Sequence, residues 1–233
     1  RFISRVVAED RCHLNGLALR DGAPAYVTAV SDSDTFDGWR GHRPGQFAFV
    51  TFDAREGAHP FTIASADHGD GIVGFEIKAL GDYTRVLGAR LRIGQPVQVE
   101  GPYGCFDIER CDPHARQVWI AGGIGVTPFL AWLESLQADP ARAPAADLHY
   151  CTRDRERDPF VQRLETLCSM LPGVRLHVHG ARQGNALQAS ALGDAKDAEV
   201  WFCGPTGLAD ALRAGLARLG RRPRFHQEAF EMR

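Results

Sequence analysis

The chain has 233 residues, 44% hydrophobic and 24% charged, the composition of an ordinary folded globular protein. Its 27 Lys and Arg against 29 Asp and Glu leave a formal charge of -2, which gives no electrostatic footprint for nucleic acid. No run reaches the ~18 apolar residues of a membrane span, and no signal peptide is visible. Up to about residue 111, short β-like runs are punctuated by Gly, Pro and Asp. The runs fall at 25–30, 46–52, 61–65, 72–79 and 96–100, with one helical interruption at 83–90. Strands at this spacing, with turn residues between them, predict an antiparallel barrel or sandwich.

From residue 117 the grammar changes to β–α alternation. Strands are predicted at 117–121, 148–151, 174–179 and 200–203. Helices are predicted at 126–137, 159–171 and 208–219, with Phe160, Leu164 and Leu167 on one face of the second. The segment 225–232 reads as a final strand. Alternation of this kind means a parallel sheet covered by helices on both faces. The boundary is placed near Pro113. The fold class is therefore two domains: an antiparallel β barrel over 1–113, then an α/β doubly wound parallel sheet over 114–233.

At this size folding buries roughly 70% of the unfolded surface, so no disulfide or metal staple is required. The six cysteines are scattered, and no pair has C-x-x-C spacing. That argues against zinc ribbons and iron–sulfur ligation, and for a reduced, cytoplasmic chain. His177 and His179 alternate on one predicted strand and read as a satisfied strand face rather than a metal site.

The run Ala121-Gly122-Gly123-Ile124-Gly125-Val126-Thr127-Pro128 lies between a strand and a helix. Missing Cβ atoms let the backbone approach a pyrophosphate, and the helix N-terminus that follows attracts its charge. The third small position of the usual dinucleotide fingerprint is Pro128, a residue comfortable in a first helical turn. After the second strand of this half comes Thr152-Arg153-Asp154-Arg155. Arg153 there can pair with a ribose 2′-phosphate, favouring NADPH, while Asp154 keeps NADH open.

Several motifs then fall in order. His59-Pro60-Phe61-Thr62-Ile63-Ala64-Ser65 resembles the flavin-binding strand of the ferredoxin–NADP reductase superfamily, in the spelling of its ferric reductase and NADPH oxidase branch. Gly81-Asp82-Tyr83-Thr84 resembles that branch's second FAD motif, and Gly101-Pro102-Tyr103-Gly104 the turn closing the flavin domain. Gly123-x-Gly125-x-x-Pro128 resembles the nucleotide loop, Cys203-Gly204-Pro205 the nicotinamide-side motif, and Phe230 the terminal aromatic. The resemblance runs from about residue 24 to the end. Taken singly, Phe61 is a core residue, Thr62 a strand residue, His59 a turn residue before Pro60 and Cys203 a buried thiol; only the ordered set points elsewhere.

The resemblance implies FAD on the first domain and NADPH, or NADH, on the second. It implies that Thr62 hydrogen-bonds the flavin N5 edge and that Phe61 lies against the flavin. Ile77, Lys78 and the Gly81–Thr84 loop complete the FAD set. The superfamily has Arg where this chain has His59, which cannot clamp a phosphate bidentately. More of the phosphate load then falls on Lys78 and the loop amides. Cys203 orients the nicotinamide, Phe230 gates the flavin face, and Glu228 is either a polar contact there or a surface carboxylate. Electrons leave for an acceptor outside the chain. In the ferric reductase and oxidase branch that is haem in a transmembrane domain, and the chain's start at Arg1 fits a cytosolic domain of an inner-membrane protein. The alternatives are a free-standing reductase of flavin, ferric chelates or a ferredoxin-like partner, and a regulatory module that binds nucleotide without turnover.

Overall fold

The computed structural model describes residues 14–20, 23–30, 42–112, 114–194 and 197–227. Contacts divide the chain into two units, the first running to Cys105 and the second starting at Phe106.

The first unit holds β1 (Leu14–Arg20), β2 (Ala23–Val30), β3 (Phe47–Thr51), β4 (His59–Thr62), β5 (Ile72–Glu76), helix α1 (Asp82–Arg90) and β6 (Gln98–Tyr103). They form two three-stranded antiparallel sheets, ordered β1-β2-β5 and β4-β3-β6. The chain leaving β4 crosses from one to the other. Ile63 N donates to Gln46 O at 2.9 Å, and Ala64 N donates to Gly74 O at 2.8 Å. An Ile63–Phe75 bridge continues the wall, so the sheets enclose one barrel-like core. Period-two alternation fills it: Ala48 and Val50 of β3 point inward, with Phe61, Ile63, Val73 and Phe75 around them. Leu87 of α1, with Leu91 just beyond the helix, closes the core. Pro60 is tolerated inside β4 because β4 is an edge strand, where a missing N–H costs no ladder bond. β1 is absent from the predicted elements, because Asn15 and Gly16 interrupt its alternation.

The second unit holds β7 (Gln117–Gly122), α2 (Thr127–Ala138), β8 (Ala146–Thr152), α3 (Pro159–Ser169), β9 (Val174–Gly180), β10 (Glu199–Cys203), α4 (Thr206–Arg218) and β11 (Arg224–Gln227). All five strands are parallel, in the order β11-β10-β7-β8-β9. β7 is buried throughout, as the central strand of a doubly covered sheet must be. Trp119 and Ala121 face α2 and α3, while Val118 and Ile120 face α4 and the 187–192 crossover. Phe106 explains where the units divide. Its ring stacks on Trp132 at 5.0 Å and meets Trp201 edge-on at 5.2 Å, so the chain enters the second core there. The predicted strand at 225–232 is described only to Gln227; Glu228 and Phe230 lie outside the described residues.

His177 and His179 sit on a strand face whose polar atoms are only partly satisfied, since His179 Nδ1 is buried without a hydrogen-bond partner. Their rings stack on His149 of β8 at 4.6 and 5.3 Å. His149 Nδ1 lies 3.0 Å from His179 Nε2, and His177 Nε2 lies 3.0 Å from Asp147 Oδ1. Among the described residues no cluster has metal-ligand geometry, and no helix is long and apolar enough to cross a membrane.

Candidate functional site

In the second unit the strand order reverses between β7 and β10. In open parallel sheets, ligands bind outside the carboxyl ends of the strands at such a point. The glycine loop leaves the end of β7, and Cys203-Gly204-Pro205 leaves the end of β10 beside it. The two turns are seated backbone against backbone. A Cβ on Gly125 would meet the Cys203 carbonyl and come within 2.8 Å of Gly204 N. A Cβ on Gly204 would lie 2.9 Å from Gly122 Cα, and one on Gly122 would lie 2.6 Å from Pro205 Cδ. These three glycines are required by mutual approach. Gly123 is different: it takes a left-handed φ of 56° and is half-buried at the loop tip.

A 3-10 turn over Gly123–Val126 feeds straight into α2. Thr127 is buried there, and its hydroxyl donates to Ile124 O at 3.1 Å, so it braces the turn. Pro128 sits in the first turn, where its lost N–H is one of the helix's unpaired donors anyway. Cys203 is buried at the end of β10, and Pro205 is exposed at the start of α4. Arg153 is exposed just beyond the end of β8 and makes no ion pair among the described residues.

In the first unit the structure brings the two flavin motifs together. The His59 ring of β4 stacks on the Tyr83 ring of α1, centroids 4.4 Å apart and planes at 13°. Both polar tips there, His59 Nε2 and Tyr83 Oη, are buried without a hydrogen-bond partner. Glu56 Oε1 lies 3.6 Å from His59 Nε2, beyond hydrogen-bond reach. Burial, then the nearby Glu56 and Asp53 carboxylates, push the Tyr83 phenol up to about 12, so it stays a donor. Two orphaned polar atoms where two motifs meet fit a polar ligand such as the FAD of the sequence reading.

Thr62 is buried at the end of β4, on the face opposite Phe61, and its hydroxyl has no partner among the described residues. Phe61 itself points into the barrel core, against Phe52. Ile77 packs half-buried on the same core, while Pro60 is half-buried and Lys78, Gly81 and Asp82 are exposed. Thr84 is the surprise of this set. Its hydroxyl oxygen accepts from Leu80 N and Gly81 N, both at 3.0 Å. Those two amides are thereby committed inside the protein, and the anion-binding donors left are at the start of α1, from Asp82 onward.

Other residues shape the carboxyl end of β8 in ways that none of those motifs marks. Asp158 caps α3 through Phe160 N at 2.9 Å and accepts from the Tyr150 hydroxyl at 2.9 Å and from Thr152. This pins the loop that carries Arg153. Asp158-Pro159 is itself a helix-start signature that could have revealed it. Gln183, which holds Asp154, has no local signal in sequence.

Comparison with known proteins agrees with this geometry. Residues 36–106 match the FAD-binding domain family, and residues 1–57 match a domain of unknown function. The vanillate O-demethylase oxidoreductase of a Pseudomonas species is 33% identical over 127 residues, 54% of this chain and 38% of that protein. The carnitine monooxygenase reductase subunit of Escherichia coli is 33% identical over 143 residues, 58% of this chain and 40% of that protein. The chain thus spans about two-fifths of the length of these relatives. Among solved structures, the FAD/NAD-binding domain of nitric oxide dioxygenase from Vibrio cholerae superposes with a TM-score of 0.70 at 19% identity, covering 94% of this chain and 98% of that one. Ferredoxin-NADP+ reductase from Plasmodium falciparum gives 0.70 at 15% identity, covering 94% and 95%. Fold and site together define a two-unit flavoprotein, an antiparallel FAD-binding unit followed by a doubly wound one. The chain shares the two-unit fold of the ferredoxin–NADP reductase-like proteins, and residues 36–106 within it match the FAD-binding domain family.

Proposed function

We propose that this chain is a reductase module that binds FAD on its first domain, 1–113, and NADPH on its second, 114–233, and passes electrons to an acceptor outside these residues. The carrying observation is the interlocked pair of turns at the β7/β10 switch point, where Gly122–Gly125 and Cys203–Pro205 meet backbone to backbone. When bound, FAD accepts a hydride from the nicotinamide and releases electrons singly.

The chain's own residues supply binding and placement. The loop tip at Gly123 and the first turn of α2 offer amides to the dinucleotide pyrophosphate. Arg153 offers a guanidinium to a 2′-phosphate. Cys203, held by its strand end, sets the height of the nicotinamide, and its role is orientation rather than nucleophilic attack. On the first domain, the orphaned tips of His59 and Tyr83 and the amides at the start of α1 take polar parts of FAD. Pro60 and the Thr62 hydroxyl face the flavin, and Phe61 backs their strand from inside the core. Phe230 as gate and Glu228 as polar contact remain part of this reading.

For the acceptor, the relatives' names favour an oxygenase system. The haem of a membrane ferric reductase or oxidase rests on the spelling of the His59–Thr62 motif alone. The test is anaerobic reduction of the FAD-loaded chain by NADPH and by NADH, followed at the flavin's visible band. Bleaching, faster with NADPH, supports the reading; bound FAD that neither cofactor bleaches refutes it. Thr62→Val keeps shape and removes one hydrogen bond, so hydride transfer should slow by roughly tenfold with FAD retained. An unchanged rate removes Thr62 from the site.

A further inference from the structure

The carboxyl ends of β8 and β9 carry a second built feature. Their pairing continues past both strands: Ala181 N donates to Thr152 O at 3.0 Å, and Arg182 N donates to Arg153 O at 2.9 Å. This sets the turn after β9 directly beside the Arg153-Asp154 loop. Asp154 is then engaged on both oxygens. Arg182 Nη1 donates to Oδ2 at 3.0 Å, Gln183 Nε2 donates to Oδ1 at 3.0 Å, and Glu156 N donates to Oδ1 at 3.3 Å. Gln183 is fixed in turn, because its Oε1 accepts from Arg155 N at 3.3 Å and its amide fills the space a Cβ on Gly180 would need. The hydrogen bond from Gln183, against some desolvation, and then Arg182 hold the Asp154 carboxyl below its usual range. Arg155 is drawn off toward Glu165, at 3.5 Å. Arg153 is left exposed beside a neutralised carboxylate.

An acidic residue at this position ordinarily takes a ribose hydroxyl and repels a 2′-phosphate. We propose that Arg182 and Gln183 set nucleotide selectivity by sequestering Asp154, so that this end of the sheet accepts a 2′-phosphorylated adenosine despite its carboxylate. Arg182 also lends a second positive charge beside Arg153, leaving the Arg153–Asp154–Arg182 trio at net +1. The inference rests on reading the second unit as the nucleotide-binding one, and it makes Arg182 and Gln183 positioning residues acting through Asp154.

The test is calorimetric titration of the full chain with 2′-phospho-AMP and with 5′-AMP, which needs no flavin turnover. Wild type should bind 2′-phospho-AMP at least tenfold tighter. Arg182→Ala should lower that affinity about tenfold while 5′-AMP holds or tightens, because Asp154 is released to the ribose. Asp154→Asn should move the ratio the other way, tightening 2′-phospho-AMP several-fold. A ratio that neither variant moves, or a wild type that prefers 5′-AMP, overturns the sequestering role and leaves the nucleotide site standing. A wild type that binds neither compound overturns the nucleotide reading itself. Arg182→Lys, which keeps the charge but not the fork, should retain part of the preference; loss equal to Arg182→Ala for both compounds would mark a purely structural residue.

Discussion

At the scale of single residues, the glycines of the switch point are fixed by what lies against them. Gly125 faces the main chain of Cys203 and Gly204, which has no side-chain end to swing aside. Gly125→Ala therefore has to separate the two turns. The expected outcome is NADPH binding weakened at least tenfold together with a lower melting temperature, read by titration and by thermal unfolding. Gly207, in the first turn of α4, is the control, since a Cβ there meets nothing within 4 Å. Gly207→Ala should be neutral or slightly stabilising, because Ala gains about 1 kcal/mol over Gly in a helix interior. Equal effects at the two positions would mean that the turns are not held by mutual approach.

At the scale of elements, the loop from β8 to α3 stands on one carboxylate. Asp158 caps the helix, and it also takes the hydroxyl of Tyr150, a fully buried ring. Asp158→Ala loses a cap worth about 1–2 kcal/mol and strands a buried hydroxyl at about 1–3 kcal/mol. It should lower stability by about 2–4 kcal/mol in urea unfolding followed by tryptophan emission, and weaken NADPH more than FAD. Asp158→Asn, which keeps an acceptor, should recover part of the loss. This element also marks where sequence reading stops. The glycine loop was legible because small residues between a strand and a helix have few other uses, and the alternation of the second half gave the parallel sheet directly. Arg182 and Gln183 reach Asp154 from 28 and 29 residues away, a pairing that only the β8–β9 register creates. Thr84 was read as a ligand contact, yet its hydroxyl is spent on the amides before α1. Phe61 had both a core and a flavin reading, and alternation along β4 directs it inward. Local pattern predicts which side chains share a face; it does not say which polar atoms are already taken.

At the scale of the whole molecule, acid should act first on the second unit. Burial, and then the charges of His177 and His179, depress His149 to about 3 from an ordinary 6.5. His179 is lowered as well, by burial and by His177. Asp147 is held well below the carboxylate range, against desolvation, by hydrogen bonds from Arg116, His177 and Arg175. A histidine with a depressed folded pKa binds fewer protons folded than unfolded, so its stabilisation is complete above 6.5 and is lost as pH falls toward 3. The Asp147 contribution has the same sign, but it is lost only below the unfolded carboxylate value of about 3.9. Between pH 6.5 and 4 the loss therefore belongs to the histidines. While His149 is neutral folded and charged unfolded, it contributes about 1.4 kcal/mol per pH unit. Three of the four tryptophans, Trp119, Trp132 and Trp201, lie in this unit's core, so tryptophan emission chiefly reports its unfolding. Urea midpoints should fall steadily from pH 7 to 4 while the β8–β9 edge loosens, and with it the loops bearing Arg153 and Arg182. His149→Gln keeps a hydrogen-bonding group beside His179 and removes the titration. It should lower stability at pH 8 yet flatten the dependence below 6.5 by about one proton's worth of slope. A variant that follows the wild-type slope in full would show that His149 is not the group through which acid destabilises the second unit.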